Sequence, residues 1–194
     1  SPGASNALVE SCLVVNAAYI GISLGKDGNP GPTIKNTTVY NDRTEGVAAS
    51  HGMYIYGDNA KVYNTVVAMD CTLDDGFTND KALFFSTPGT ATASNCVLYG
   101  SRYGDNIDLN TATGTVTEVV KSSGVSSSAV VFRNASGGDF LPFTGDGALL
   151  LAKGMTADMP LLDVVRRSYK SPHSIGAFSS YSPPSMNWDE ADLF

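Results

Sequence analysis

The sequence predicts an all-β chain of stacked parallel strands. Three observations carry this. An eight-residue phrase occurs four times and aligns without gaps, at 9–16, 34–41, 62–69 and 93–100. Successive copies begin 25, 28 and 31 residues apart, a period expected of units that bury their apolar faces by stacking. The composition, with 20 glycines and 16% charged residues among 194, suits a turn-rich β fold better than a helical bundle.

The columns of the phrase have separate physical roles. Its first column is Val9, Ile34, Val62 and Ala93, and its sixth is Val14, Val39, Val67 and Leu98. Such aliphatic, mostly β-branched side chains suit a buried pleated surface, so both columns are expected to face inward. The third column is Ser11, Asn36, Asn64 and Asn95, small polar residues that tolerate a left-handed backbone and bond to like neighbours. A polar ladder at a corner follows. Alternation then turns Leu13, Thr38, Val66 and Val97, with Val15, Tyr40, Ala68 and Tyr99, outward. If each phrase is one strand stacked in register at about 4.8 Å, every backbone donor and acceptor finds a partner in the next turn.

Residues 1–6 are small and polar and lead directly into the first copy. An uncapped stack is a template for another chain, so further turns ahead of Ser1, or another subunit, are expected to cover this end. Residues 19–24 alternate at period two and end in the turn cluster 25–32. The second turn makes an excursion through 42–46 before a strand ending in Met53-Tyr54-Ile55-Tyr56, and the third carries loop 70–80 ahead of Ala82-Leu83-Phe84-Phe85. Further strands are expected at 107–109, 116–120 and 129–132. A short helix starting at Asp158 with Pro160 and running through Leu161, Leu162, Val164 and Val165, ending near Arg166, Arg167 and Lys170, fits the helix-terminus pattern.

A net charge of −7 and a pI near 4.6 argue against nucleic acid or an anionic membrane as partner, since both reward clustered Lys and Arg. The longest apolar run, 148–152, is far too short to cross a bilayer. The opening Ser1-Pro2-Gly3 lacks a signal-peptide pattern. A soluble chain is expected. Cys12 and Cys96 occupy one column three turns apart, which separates them by roughly 14 Å and excludes a disulfide. Cys71 pairs with Cys96 only if its loop brings them together, and free thiols are the expectation.

The strand phrase with its asparagine column resembles the turns of right-handed parallel β-helix proteins of the pectate-lyase-like superfamily. Its second half, with Phe132-Arg133-Asn134-Ala135-Ser136-Gly137-Gly138-Asp139-Phe140, then Gly147-Ala148-Leu149-Leu150-Leu151-Ala152-Lys153-Gly154 and Ser174-Ile175-Gly176-Ala177-Phe178, is similar to the closing segment of many extracellular bacterial and viral β-helix proteins. The resemblance implies a single-stranded right-handed parallel β-helix over 1–178, with a C-terminal capping segment, followed by a Ser/Pro linker and an acidic-aromatic tail at 179–194. It implies an extracellular or virion-surface setting. Function does not follow from such a fold.

The enzymes of that superfamily use paired Asp, or Asp-held calcium with Arg. This chain offers Asp70, Asp74, Asp75 and Asp80 in one loop and His51 in Ser50-His51-Gly52 on an earlier turn. The order does not match the hydrolase pattern, and a glycosidase needs two carboxyls across the scissile bond. Asp74, Asp75 and Asp80 are a weak calcium set, oxygen ligands without fixed spacing. No cofactor motif is present. Assembly is better supported. Leu13, Val15, Tyr40, Val66, Val97 and Tyr99 form an apolar outer face that a partner, or the C-terminal segment folding back, is expected to cover. The tail residues Trp188, Leu193 and Phe194 are expected to dock on this chain or a neighbour. The leading expectation is a non-catalytic, self-associating structural subunit of a fibre, spike or surface filament. The alternatives are a polysaccharide lyase or glycoside hydrolase using Asp70, Asp74, Asp75 and His51, and a glycan-binding adhesin using Tyr54, Tyr56 and Tyr103.

Overall fold

A computed structural model of the chain describes residues 6–26, 28–42, 51–69, 81–86, 90–99, 107–108, 113–117, 131–142, 150, 154–155, 160–168 and 173–178. The fold is built on one local feature of the repeated phrase. The third-column residues all take left-handed backbone, with φ of 50° at Ser11, 49° at Asn36, 47° at Asn64 and 49° at Asn95. Asn tolerates this region better than most residues with a Cβ. The bend divides each phrase, so it forms two short strands on different sheets, where the repeat alone suggests one.

The first turn holds β1 (Leu8–Glu10), β2 (Leu13–Val15) and β3 (Ile20–Leu24). The second holds β4 (Thr33–Lys35), β5 (Thr38–Asn41) and β6 (His51–Ile55), and the third β7 (Lys61–Tyr63), β8 (Val66–Met69) and β9 (Lys81–Phe85). The fourth holds β10 (Thr90–Ser94), β11 (Val97–Tyr99) and β12 (Ile107–Asp108), after which β13 (Thr113–Thr117) continues the pattern. Every third strand joins the same parallel sheet: β1-β4-β7-β10-β13, β2-β5-β8-β11 and β3-β6-β9-β12. The chain therefore visits three sheets in rotation.

Register follows the phrase alignment. Val9, Ile34, Val62, Ala93 and Val116 are successive partners on the first sheet, and Leu13, Thr38, Val66 and Val97 on the second. Hydrogen bonding continues through the bend. Ser11 N donates to Lys35 O at 3.2 Å, Asn36 N to Tyr63 O at 3.2 Å and Asn64 N to Ser94 O at 3.2 Å. The fourth column closes the bend from within. Thr37 and Thr65 hydroxyls donate to the carbonyls two residues earlier, at 3.1 and 2.8 Å, and the Cys12 and Cys96 thiols do the same at 3.3 and 3.2 Å. Threonine and cysteine exchange here because each carries a donor on Cβ.

The core between the sheets is formed by Ile34, Val39, Val62, Val67, Ala93 and Leu98 with Met53, Ile55, Leu83 and Phe85 from the third sheet. On that sheet strict alternation fails. Gly52 and Met53 both turn inward, because a Cβ on Gly52 would overlap Val67 Cγ1, while Met53 is fully buried. Glycine is needed for space, and the break leaves His51 on the same outer side as Tyr54.

A second core lies outside the second sheet. The hairpin of β14 (Phe132–Asn134) and β15 (Asp139–Pro142), joined by a short 3-10 turn, packs Phe132 and Phe140 with Val131, Leu150 and Ile175 against Tyr40, Val66, Ala68 and Val97. The rings of Tyr40, Phe132 and Phe140 meet edge to face, with centroids 5.2 to 6.0 Å apart. A strap then fastens across the turns. Gly176 N donates to Asn64 O at 2.7 Å, and Ala177 N donates to Thr38 Oγ1 at 3.0 Å.

The expected helix ending at Arg166 and Arg167 does not form within the described residues 160–168. Asp163 prevents it by taking backbone partners for its own side chain. Its Oδ1 accepts from Val165 N at 3.0 Å and Arg167 N at 2.8 Å, its Oδ2 pairs with Arg167 Nε at 3.0 Å, and Arg166 takes φ of 62°.

Candidate functional site

Three surfaces bear on function: the outer face of the second sheet, the outer face of the third, and the first turn.

The outer face of the second sheet is occupied by the chain itself. Tyr40, Val66 and Val97 are buried under the hairpin and strap, and Leu13 and Tyr99 pack at the edge of the same cluster. Of the apolar set read as a partner surface, Val15 alone is classed as exposed. The covering residues come from distant sequence, Phe132 lying 92 positions after Tyr40, which is why pattern alone left the occupant open.

The corner column also serves the strap more than a side-chain ladder. Asn64 Oδ1 accepts from Met155 N at 2.6 Å, and Asn64 Nδ2 donates to Met155 O at 3.3 Å. Ser11 Oγ donates to Leu162 O at 2.8 Å. Between them in the column, Asn36 is fully buried, and both polar atoms of its amide lack a hydrogen-bond partner among the described residues.

On the third sheet, His51, Tyr54, Tyr56 and Phe84 form a half-buried aromatic ridge. Tyr54 and Phe84 are neighbours in register, with ring centroids 4.7 Å apart, and His51 lies nearly parallel to Phe84 at 5.2 Å. Tyr54 and Tyr56 approach to 4.7 Å, and the Tyr54 hydroxyl donates to Ser86 Oγ at 3.2 Å. His51 Nδ1 accepts from Lys81 N at 3.1 Å. That nitrogen carries no proton in this arrangement, and the bond ties β6 to β9. The sequence reading paired His51 with Asp70, Asp74 and Asp75. Those residues and Asp80 lie outside the described residues, as do Tyr103, Trp188, Leu193 and Phe194. Among the described residues, no group of three or more His, Cys, Asp or Glu is placed to hold a metal ion. No helix among them is long and apolar enough to cross a membrane.

Cys12 and Cys96 are free thiols. Burial pushes the Cys96 thiol up to about 12, against the opposing pull of hydrogen bonds with the backbone of Thr65 and Ser94. It is a packing residue rather than a nucleophile, because the thiolate is the reactive form.

Among the described residues, burial of the core falls at the first turn. Val9, Val14, Ile22 and Leu24 pack on the core but are only partly buried, while Ile34, Val39, Met53 and Ile55 one turn on are at most 1% exposed. No family model, curated protein or solved structure matches this chain.

Proposed function

We propose that this chain is a right-handed parallel β-helix of the pectate-lyase-like kind, and that it serves as a non-catalytic structural module. It would be a self-associating subunit or terminal domain of an extracellular or virion assembly such as a fibre, spike or surface filament. The right-handed sense is the one that crossovers between parallel strands take in nearly all proteins. Three parallel sheets visited in rotation favour the helix. The single observation that carries the functional reading is the stack itself, three parallel sheets that pair along one axis and whose second sheet is covered by the chain's own hairpin. Backbone pairing along one axis favours another β edge as partner. Sedimentation of the chain with and without residues 186–194 tests the reading. Association of the full chain is expected, and a monomer that is insensitive to the deletion would count against it.

A second reading, glycan binding, draws on the aromatic ridge of Tyr54, Tyr56, Phe84 and His51. Aromatic side chains combine a large apolar face with, in tyrosine, a polar tip. Glycan-array binding that disappears in Tyr54→Ala and Tyr56→Ala would support it, and absence of binding to any glycan removes it.

A further inference from the structure

We infer that Asn134, at the tip of the β14–β15 hairpin, is an acceptor for an N-linked glycan, and that Asn36, which begins the chain's other Asn-X-Ser/Thr triplet, is not. The inference rests on the extracellular setting proposed above, because such acceptors are modified in the secretory compartment, and it names the residue where that setting leaves a mark.

The sequence holds two triplets of this kind, Asn36-Thr37-Thr38 and Asn134-Ala135-Ser136. An acceptor of this pattern needs an exposed turn, since the attached sugar is bulky and polar. The fold separates the two. Asn36 and Thr37 are 0% exposed and Thr38 is 1% exposed. The Thr37 hydroxyl donates to Lys35 O, and Thr38 Oγ1 accepts from Ala177 N of the strap. A glycan on Asn36 would have to enter this packed corner, and the strap could not close over it. Folded protein therefore carries none at Asn36.

Asn134 meets the opposite conditions. Asn134, Ser136, Gly137 and Gly138 are all exposed. The tip is held in one shape by Gly138 N donating to Ala135 O at 2.9 Å and by the Arg133–Asp139 ion pair at 3.3 Å across the hairpin. The tip uses the oxygen of the Asn134 amide: Oδ1 accepts from Gly137 N at 3.2 Å and from the Ser136 hydroxyl at 3.3 Å. Among the described residues, neither of these bonds involves Nδ2. A Cβ on Gly137 would overlap Nδ2, so glycine there keeps the space beside the nitrogen clear. Transfer to the chain forms a bond from Asn134 Nδ2 to the anomeric carbon of an oligosaccharide carried on a polyprenyl pyrophosphate. The bond from that carbon to the pyrophosphate breaks, the pyrophosphate leaves with the electron pair, and Nδ2 gives up one of its two protons. Oδ1 is untouched, so both of its hydrogen bonds survive the modification.

The test is production of the chain through the secretory pathway of a host that N-glycosylates, with Asn134→Gln and Ser136→Ala made in parallel. Ser136→Ala keeps the Asn134 cap on Gly137 N, and circular dichroism with thermal melting checks that each secreted chain folds. The expected result is a single glycan on the secreted chain, removed by peptide N-glycosidase with conversion of Asn134 to aspartate, and lost in both variants. The peptide that contains Asn36 is expected to be unmodified by mass spectrometry. A folded, secreted chain without a glycan at Asn134 overturns the site and leaves the extracellular setting standing. A folded chain with a glycan on Asn36 overturns the assignment of that triplet. Retention of every chain inside the host, including one made under an inhibitor of N-glycosylation, overturns the setting and the site together.

Discussion

At the residue scale, the bend of each turn rests on two chemical requirements that can be separated by mutation. Asn64 must hold a left-handed backbone, and its amide must clamp Met155 from both sides. Asn64→Gly retains the backbone freedom and loses the clamp, costing about 1–2 kcal/mol in urea unfolding. Asn64→Ala loses both and is expected to cost roughly 1–2 kcal/mol more. Equal costs for the two variants would show that backbone strain at this position is negligible. Cys96 supplies a pH test. Burial raises it in the folded chain from the ordinary thiol value of 9.0 to about 12, so folding favours the protonated thiol. The stability contributed is intact below pH 9 and is lost as pH rises toward 12. In native protein at pH 8, Cys96 is expected to resist alkylation until the chain unfolds, as followed by mass spectrometry. Rapid native labelling of Cys96 would contradict its burial.

At the element scale, the register of the repeated phrase was legible in the sequence, but its division into strands of two sheets at the third-column bend, and the C-terminal layer, were not. Ungapped alignment of four phrases gives the observed register because side-chain period and strand pairing fix each other. The columns also identified the outward apolar set, but covering it depends on contacts such as Phe132 with Tyr40. No local pattern encodes a contact across that separation. Residues 160–168 failed as a helix for a local reason that can be read afterwards: Asp163 competes for the backbone donors of Val165 and Arg167. The placement of His51 was illegible because the break in alternation at Gly52 and Met53 is set by Val67 on another sheet. The strap has its own weak point. Gly176 has φ of 99°, and a Cβ there would sit 2.9 Å from Thr38 Oγ1 and 3.0 Å from Val66 Cγ2. Gly176→Ala is expected to cost about 1–3 kcal/mol and to raise proteolysis of the segment that follows. Phe132→Ala is expected to cost about 3–5 kcal/mol by opening the second core. If that variant melts like wild type, the hairpin does not stabilise the stack.

At the scale of the whole molecule, the three sheets share one axis of growth and the strap secures the first corner. Pairing along that axis is local from turn to turn, so stability is expected to fall toward an uncovered end, as in other stacked repeats. Self-association along that axis, as proposed, would protect the strands it covers in proportion to its occupancy. Hydrogen exchange, measured as a function of protein concentration, therefore tests the central claim most directly. The account predicts that strand amides at an end of the stack gain protection as concentration rises, while those of the central strands β7 and β8 stay constant. Protection that is independent of concentration throughout, in protein shown to remain folded, would contradict it.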